Sequence, residues 1–262
     1  ILSPNEQRRI KEALFVIAGL GANGSPAAMA LVRMGAEHLR LIDHDVVEIH
    51  NLNRQLFSFE DVGLYKVDAL KRYLKSINPF ILVETFREKL SEKNINNILT
   101  NADIVIDAMD DYRAKVILSR EAKKRKIPVV HVSGAGFRGS VTVFLPDGPT
   151  YEELFQLPSL GKDINSVSDD EFLNHRQRVA RIIGKGMYPE YIISRMKDPS
   201  QPWYAALPAP MIAGVLAAME AVKIIIGRED RAIIAPKILQ IDVMNNIYDI
   251  FMFGEEKITA YW

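Results

Sequence analysis

Leu14-Phe15-Val16-Ile17-Ala18-Gly19-Leu20-Gly21-Ala22-Asn23-Gly24 joins a short apolar run to a G-x-G-x-x-G turn. Five successive apolar residues with no polar alternation predict a strand buried on both faces, as in a parallel sheet. Ser25 to about Met34 then reads as a helix stopped near Gly35. The glycines therefore lie where backbone N–H groups and a helix N-terminus meet phosphate oxygens at close range. His38–Ile42 predicts a second strand, ending at Asp43. A carboxylate about twenty residues beyond such a turn is placed to hydrogen-bond a ribose hydroxyl. Gly19, Gly21, Gly24 and Asp43 are thus candidate nucleotide-binding residues, and by themselves they suit a hydride-transfer dinucleotide as well as ATP.

Working outward, Tyr65–Ile77 reads as a helix closed by Asn78-Pro79, and Ile81–Phe86 as a strand. Ile104–Asp107 is a further buried strand leading into a helix over Arg113–Lys126, with strands at Pro128–Ser133 and Ser140–Leu145. Ala213–Ile226 reads as a strongly apolar helix, and Lys237–Asp242 with Ile247–Phe253 as a closing strand pair. Strands alternating with helices predict a Rossmann-like, doubly wound α/β fold with a mostly parallel sheet covered by helices on both faces. Residues 1–262 read as one domain, in which 146–208 is a mainly helical insertion or lid. Ser168-Asp169-Asp170-Glu171 fits a capping box opening a helix there, closed by Gly184 and Gly186.

The composition narrows the chemistry. Of 262 residues, 33 are Lys or Arg and 33 are Asp or Glu, a balance that argues against a nucleic-acid or anionic-membrane surface. No apolar run of about 18 residues and no signal peptide is read, so a cytoplasmic setting is expected. The absence of cysteine removes thiol nucleophiles, enzyme thioesters and Cys-based zinc or iron–sulfur sites.

Asp43-His44-Asp45-Val46-Val47-Glu48-Ile49-His50-Asn51-Leu52-Asn53-Arg54-Gln55 is dense in polar groups for a segment following a cofactor-binding strand. Lys66 follows, and Asp107-Ala108-Met109-Asp110-Asp111 closes a later strand. Arginine and lysine near a polyphosphate, with a carboxylate to hold Mg²⁺, describe phosphate chemistry, which a dehydrogenase does not need.

On these residues the sequence resembles the E1-like adenylyltransferases, the ThiF, MoeB and HesA type. Asp43 through Gln55 matches the family's D-x-D-x-V-x-x-x-N-L-x-R-Q, Lys66 its downstream lysine, and Asp107 with Asp110 its D-x-x-D. Ala209-Pro210-Met211-Ile212-Ala213-Gly214 and Ala218-Met219-Glu220-Ala221-Val222-Lys223 match its later motifs, with one extra residue. The likeness runs from about Glu6 to Leu145 and resumes from Ala209 to Phe253. It implies that Asp43 binds ribose, that Asn51, Arg54, Gln55 and Lys66 hold the triphosphate, and that Asp110 carries Mg²⁺. Arg54, Lys66 and Asp110 would be the catalytic set. The reaction implied is attack of a carboxylate on the α-phosphate of ATP, giving an acyl-adenylate and pyrophosphate.

Three departures refine the resemblance. The first C-x-x-C pair of zinc-binding relatives aligns with Thr150 and Glu153 and the second is absent, so no zinc is expected. The acyl-accepting cysteine of many relatives cannot exist here. The arginine that relatives take from a partner's N-terminal arm has no match, Arg8 and Arg9 lying too near the first strand. The resemblance thus points to a branch that activates a small carboxylate in cofactor biosynthesis, such as the pyridinol of the iron-guanylylpyridinol cofactor, or a peptide or ubiquitin-like C-terminus. A homodimer and a separate acyl-accepting enzyme are the implied partners. A non-catalytic ATP-binding sensor and an NAD oxidoreductase are the competing classes.

Other residues read two ways. Asp110 could cap the helix that follows it. His44 and His50 read as surface residues, and His131 as a buried, bonded histidine or a substrate group. Ser133–Gly139 reads as a glycine loop beside the α-phosphate. In the insertion, Tyr151, Phe155, Phe172, Tyr188, Tyr191, Trp203 and Tyr204 accompany Lys162, Arg176, Arg178, Arg181, Lys185, Arg195 and Lys197. They suit either a lid over an anionic, ring-bearing substrate or helices packed on the core.

Overall fold

The computed structural model describes residues 1–175 and 208–253. Its element order is α1 (Pro4–Glu12), β1 (Leu14–Ala18), α2 (Gly24–Arg33), β2 (His38–Ile42), α3 (Lys66–Ile77), β3 (Leu82–Phe86), α4 (Ile95–Leu99) and β4 (Ile104–Asp107). There follow α5 (Tyr112–Lys124), β5 (Val129–Ala135), β6 (Arg138–Phe144), α6 (Tyr151–Phe155), α7 (Pro208–Ile225), β7 (Lys237–Asp242) and β8 (Ile247–Met252). The strands form one sheet in the order β3-β2-β1-β4-β5-β6-β7-β8. From β3 to β5 every pairing is parallel, and from β5 to β8 every pairing is antiparallel. The sheet is therefore mixed, its parallel half carrying the predicted βαβ units.

Period-two alternation of β1 explains both layers. Phe15 and Ile17 join the core formed with α2, α3 and α7, whereas Val16 and Ala18 join that formed with α4, α5 and α6. A continuous apolar run is what a strand covered on both faces requires.

Several expectations are corrected. Ser133–Gly139 is a β-hairpin: Ala135 pairs with Arg138 across a two-residue turn at Gly136-Phe137, with Gly136 at φ 56°. The apolar helix opens at Pro208 and so reaches 18 residues at mean hydropathy 1.5, long and apolar enough to cross a bilayer, although no such run was read in the sequence. Of that stretch, 56% is buried within the fold, against α2, β5 and β6. Its single charged pair, Lys223 with Glu220 at 2.5 Å, points one partner inward, and Glu220 also accepts the Ile233 N–H. Helix α1 was not anticipated, though Ser3 and Glu6 form a capping box with Pro4 in the first turn.

The first part of 146–208 packs on α5. Arg120 makes a two-pronged pair with Glu152 (2.7 and 2.8 Å), and Ser159 Oγ donates to the same carboxylate. Arg113 donates to the carbonyls of Ile164 and Val167 and to Asp169. The capping box at Ser168–Glu171 is present and a helix opens at Asp169. Its closure at Gly184 and Gly186, and the aromatic and basic residues from Arg176 to Tyr204, lie outside the described residues.

Candidate functional site

Gly19, Asp43 and Asp107 stand at the carboxyl ends of β1, β2 and β4, where the strand order reverses and open α/β sheets bind ligands. Gly19 has φ 85°, and a Cβ on it would lie 2.7 Å from the Ala108 carbonyl oxygen. A Cβ on Gly24 would lie 1.8 Å from the Gly19 oxygen. Both glycines are thus demanded by backbone contact within the fold itself. Gly21 differs: a Cβ there would meet only Gln55 Nε2, at 3.6 Å. Its bareness leaves room above the turn rather than relieving a clash.

Two buried polar atoms in this region lack a partner, Asn23 Oδ1 near Gly134 and Gln55 Oε1 on the side chain beside Gly21. Asn23 stands at the N-cap position of α2 without capping it, and its Oδ1 is buried with no partner. Gln55 Oε1 is likewise buried and unbonded. Such orphans are costly unless a ligand completes them. With the open N-terminus of α2, they fit a ligand rich in donors and phosphate oxygens.

Asp43 is buried, with 8% of its surface exposed, and accepts N–H bonds from Leu20 (2.7 Å) and Asp45 (2.9 Å). Burial pushes its carboxyl above the usual value, opposed by the charge of Lys66. Lys66, 6% exposed at the start of α3, donates to Asp45 Oδ2 at 2.7 Å. Asp43, His44 and Asp45 could bring one oxygen or nitrogen each within 4.8 Å of one another. However, Asp45 already serves Lys66 and both Asp43 oxygens hold backbone N–H groups, so this cluster is not offered as a metal site.

Asn51, Arg54 and Gln55 share one turn, the N–H groups of Arg54 and Gln55 both donating to the Asn51 carbonyl. Arg54 donates to the His50 carbonyl and to Asn53 Oδ1, and among the described residues no carboxylate pairs with it. Burial lowers the pKa of its guanidinium. Asn51 is turned into its own loop, accepting the Glu48 N–H and meeting His50 Nε2 at 3.1 Å. Ser25 Oγ ties this turn to the glycines by donating to Gly21 O while accepting the Leu56 N–H.

At the end of β4 the structure separates two adjacent carboxylates. Asp111, not Asp110, caps α5 by accepting the Ala114 N–H, and it pairs with Lys89 at 2.5 Å. Asp110 is exposed and, among the described residues, has no hydrogen-bond or ion-pair partner. A lone hard-oxygen donor beside a phosphate site suits Mg²⁺, which is typically held by one or two carboxylates and completes its shell with phosphate oxygens and water. Sequence reasoning missed Lys115, which reaches Asp107 and His131 from α5. Its only signal was a lysine on the inward face of an amphipathic helix.

The model of the ThiF family matches residues 1–259. The chain belongs to the ThiF family. It is 32% identical over 155 residues to the SAMP-activating enzyme E1 of Haloferax volcanii, covering 59% of this chain and 57% of that protein. It is 34% identical over 154 residues to the molybdopterin-synthase adenylyltransferase of Haemophilus influenzae, covering 58% and 63%. The match thus spans about three-fifths of each of these ThiF relatives. The fold is shared with PaaA, at TM-score 0.70 and 24% identity over 95% of this chain and 66% of that one. It is shared too with E. coli MccB crystallised with ATP, at TM-score 0.66 and 20% identity over 95% and 66%.

Proposed function

We propose that this ThiF-family chain is an ATP- and Mg²⁺-dependent adenylyltransferase that activates a small-molecule carboxylate, in the manner of cofactor biosynthesis, without an enzyme thioester. The carrying observation is the charge layout around the bare Gly21: Lys66 beside Asp43 on one side, and the unpartnered Asp110 at the end of the adjacent β4. Hydride transfer would use neither. The naming of the relatives as adenylyltransferase and activating enzyme, and an ATP complex of the same fold, support the reading.

In this reading the N-terminus of α2 and the Gln55 Nε2 amide hold phosphates, the Asn23 and Gln55 amide oxygens accept from ligand donors, and Asp43 holds the ribose. A substrate carboxylate oxygen attacks the α-phosphorus in line, the bond to the bridging oxygen breaks, and pyrophosphate leaves. Two anions must approach, so Arg54 and Lys66 reduce their repulsion while the site fixes the angle of attack. Asp110 would hold Mg²⁺, which when bound supplies further charge neutralisation. With no cysteine on the chain, the acyl group passes from the adenylate to an external nucleophile or a separate enzyme. The chain is proposed to work as a cytoplasmic homodimer, for which the exposed Ile49, Phe59, Leu64 and Tyr65 offer apolar surface.

Binding of ATP with and without Mg²⁺, then ATP–pyrophosphate exchange with a panel of small acids and peptides, tests this. Exchange that needs one small acid, and is lost in Asp110→Ala, is the expected result. Exchange driven by a peptide terminus moves the substrate class. ATP binding with no exchange for any acid favours a sensor, and NAD binding in place of ATP ends the proposal.

A further inference from the structure

Beneath the Ala108–Asp111 turn lie three buried ionisable side chains that the proposed reaction does not use. Asp107, Lys115 and His131 are 2%, 5% and 4% exposed. Lys115 Nζ donates to both Asp107 oxygens, at 3.1 and 3.0 Å, and lies 3.5 Å from His131 Nδ1. His131 Nδ1 lies 3.0 Å from Asp107 Oδ2. A carboxylate only accepts and an ammonium only donates, so the Nδ1 proton belongs to the bond with Asp107. Burial and the lysine charge push the pKa of this imidazole down, the aspartate opposing them.

Asp107 Oδ1 also accepts the N–H of Met109, at 3.2 Å, which bends the chain just before Asp110. Behind the cluster, the Tyr151 ring stands 4.8 Å from the His131 ring and 5.5 Å from Lys115 Nζ, and Phe155 stands 6.0 Å from His131. Helix α6 thereby closes off a buried box in which one carboxylate is gripped from two sides, and that carboxylate shapes the turn carrying Asp110.

We propose that Lys115 and His131 are positioning residues for Asp110, acting through the Asp107 carboxylate that shapes the turn between them. The proposal rests on Asp110 being the metal carrier. A buried charged pair is a poor device for stability alone, since apolar side chains of similar volume often serve as well. Groups bonded to a metal-binding carboxylate, in contrast, set where it points, and losing them typically weakens metal binding about ten- to a hundredfold. Lys115 and His131 act one step further back, through Asp107 and the Met109 N–H.

The test is Mn²⁺ affinity of the protein–ATP complex, read by electron paramagnetic resonance, beside ATP affinity in chelator and thermal unfolding. His131→Phe and Lys115→Met are expected to weaken Mn²⁺ binding at least about tenfold while metal-free ATP affinity stays within about twofold. His131→Asn, which keeps a donor near the Nδ1 position, should recover most of the loss. Wild-type Mn²⁺ affinity in the Phe and Met variants, with loss in Asp110→Ala, overturns the proposal and leaves the metal role of Asp110 standing. Equal loss of metal-free ATP binding reduces the cluster to a structural one and also overturns it. Unchanged Mn²⁺ affinity in Asp110→Ala itself removes the reading beneath.

Discussion

Lys66 Nζ lies 2.7 Å from Oδ2 of Asp45, and the backbone N–H of that same Asp45 donates to Asp43. One residue thus anchors both the buried cation and the carboxylate proposed for ribose. A hydrogen bond to a charged group contributes about 1.5–3 kcal/mol, so Lys66→Met should weaken ATP binding by roughly ten- to a hundredfold. Asp45→Asn keeps an acceptor for the lysine and should cost less than about tenfold by the same scale. Titration calorimetry of both variants checks the order, and a larger loss in Asp45→Asn refutes it.

The glycines divide by what they face. Gly24→Ala would set a methyl 1.8 Å from a backbone oxygen, so thermal unfolding should show a loss of about 2–3 kcal/mol or more. Gly21→Ala meets nothing closer than 3.6 Å and should leave the melting temperature nearly unchanged while reducing ATP affinity. A Gly21→Ala variant that binds ATP normally would show that the space above the turn is not used by phosphate.

Arg120 and Glu152 fasten α6 to α5. The Glu152 side chain is 7% exposed, so Arg120→Met leaves a buried carboxylate whose one remaining side-chain partner among the described residues is Ser159. Breaking such a pair costs about 3 kcal/mol or more, which for a chain of this size lowers the melting temperature by roughly 6–12 °C. Calorimetric scanning of that variant measures it.

Acid should weaken the fold in two stages. His131 has a folded pKa below its ordinary 6.5, so the unfolded chain binds the extra proton and stability falls as pH drops from 6.5. Asp107 follows lower down. Burial alone would raise its carboxyl, but Lys115 and His131 hold it below 3.8, so its contribution is present above that pH and is lost as pH falls through the folded value. Denaturant unfolding across pH 4–7 should therefore slope in the wild type, and His131→Asn should flatten the upper part of that slope.

Strand β4 (Ile104–Asp107) coincides with the sequence reading because it is a dense apolar run with a sharp polar end, and strand β7 (Lys237–Asp242) because its apolar residues are bounded by Lys237 and Asp242. The glycine turn and the position of Asp43 were legible for the same reason: one βαβ unit writes its strand ends and turn locally. Helix α1 carried a readable signal in Ser3-Pro4-Asn5-Glu6 that the hydrophobic period did not amplify, since only Ile10 of it is buried. The Thr150–Glu153 capping box was hidden by comparison with the cysteines of relatives. The hairpin at Gly136 was mistaken for a loop because glycines at 134, 136 and 139 obscured the strand pattern on either side. Asp107, Lys115 and His131 could not be joined from the sequence, because pairing β4 with β5 and laying α5 over them is a tertiary event.

The touching of Gly19 by Ala108 has a consequence for how this molecule could change over time. The nucleotide turn and the carboxylate turn meet there through main chain alone, with no side chain between them that mutation could trim or enlarge. Such a joint has no adjustable part, so the spacing between the two turns is inherited with the chain trace. Variation in what the protein acts on is then free to accumulate along β6 to β8 and the segment leading into α7, while the distance between those two turns stays fixed.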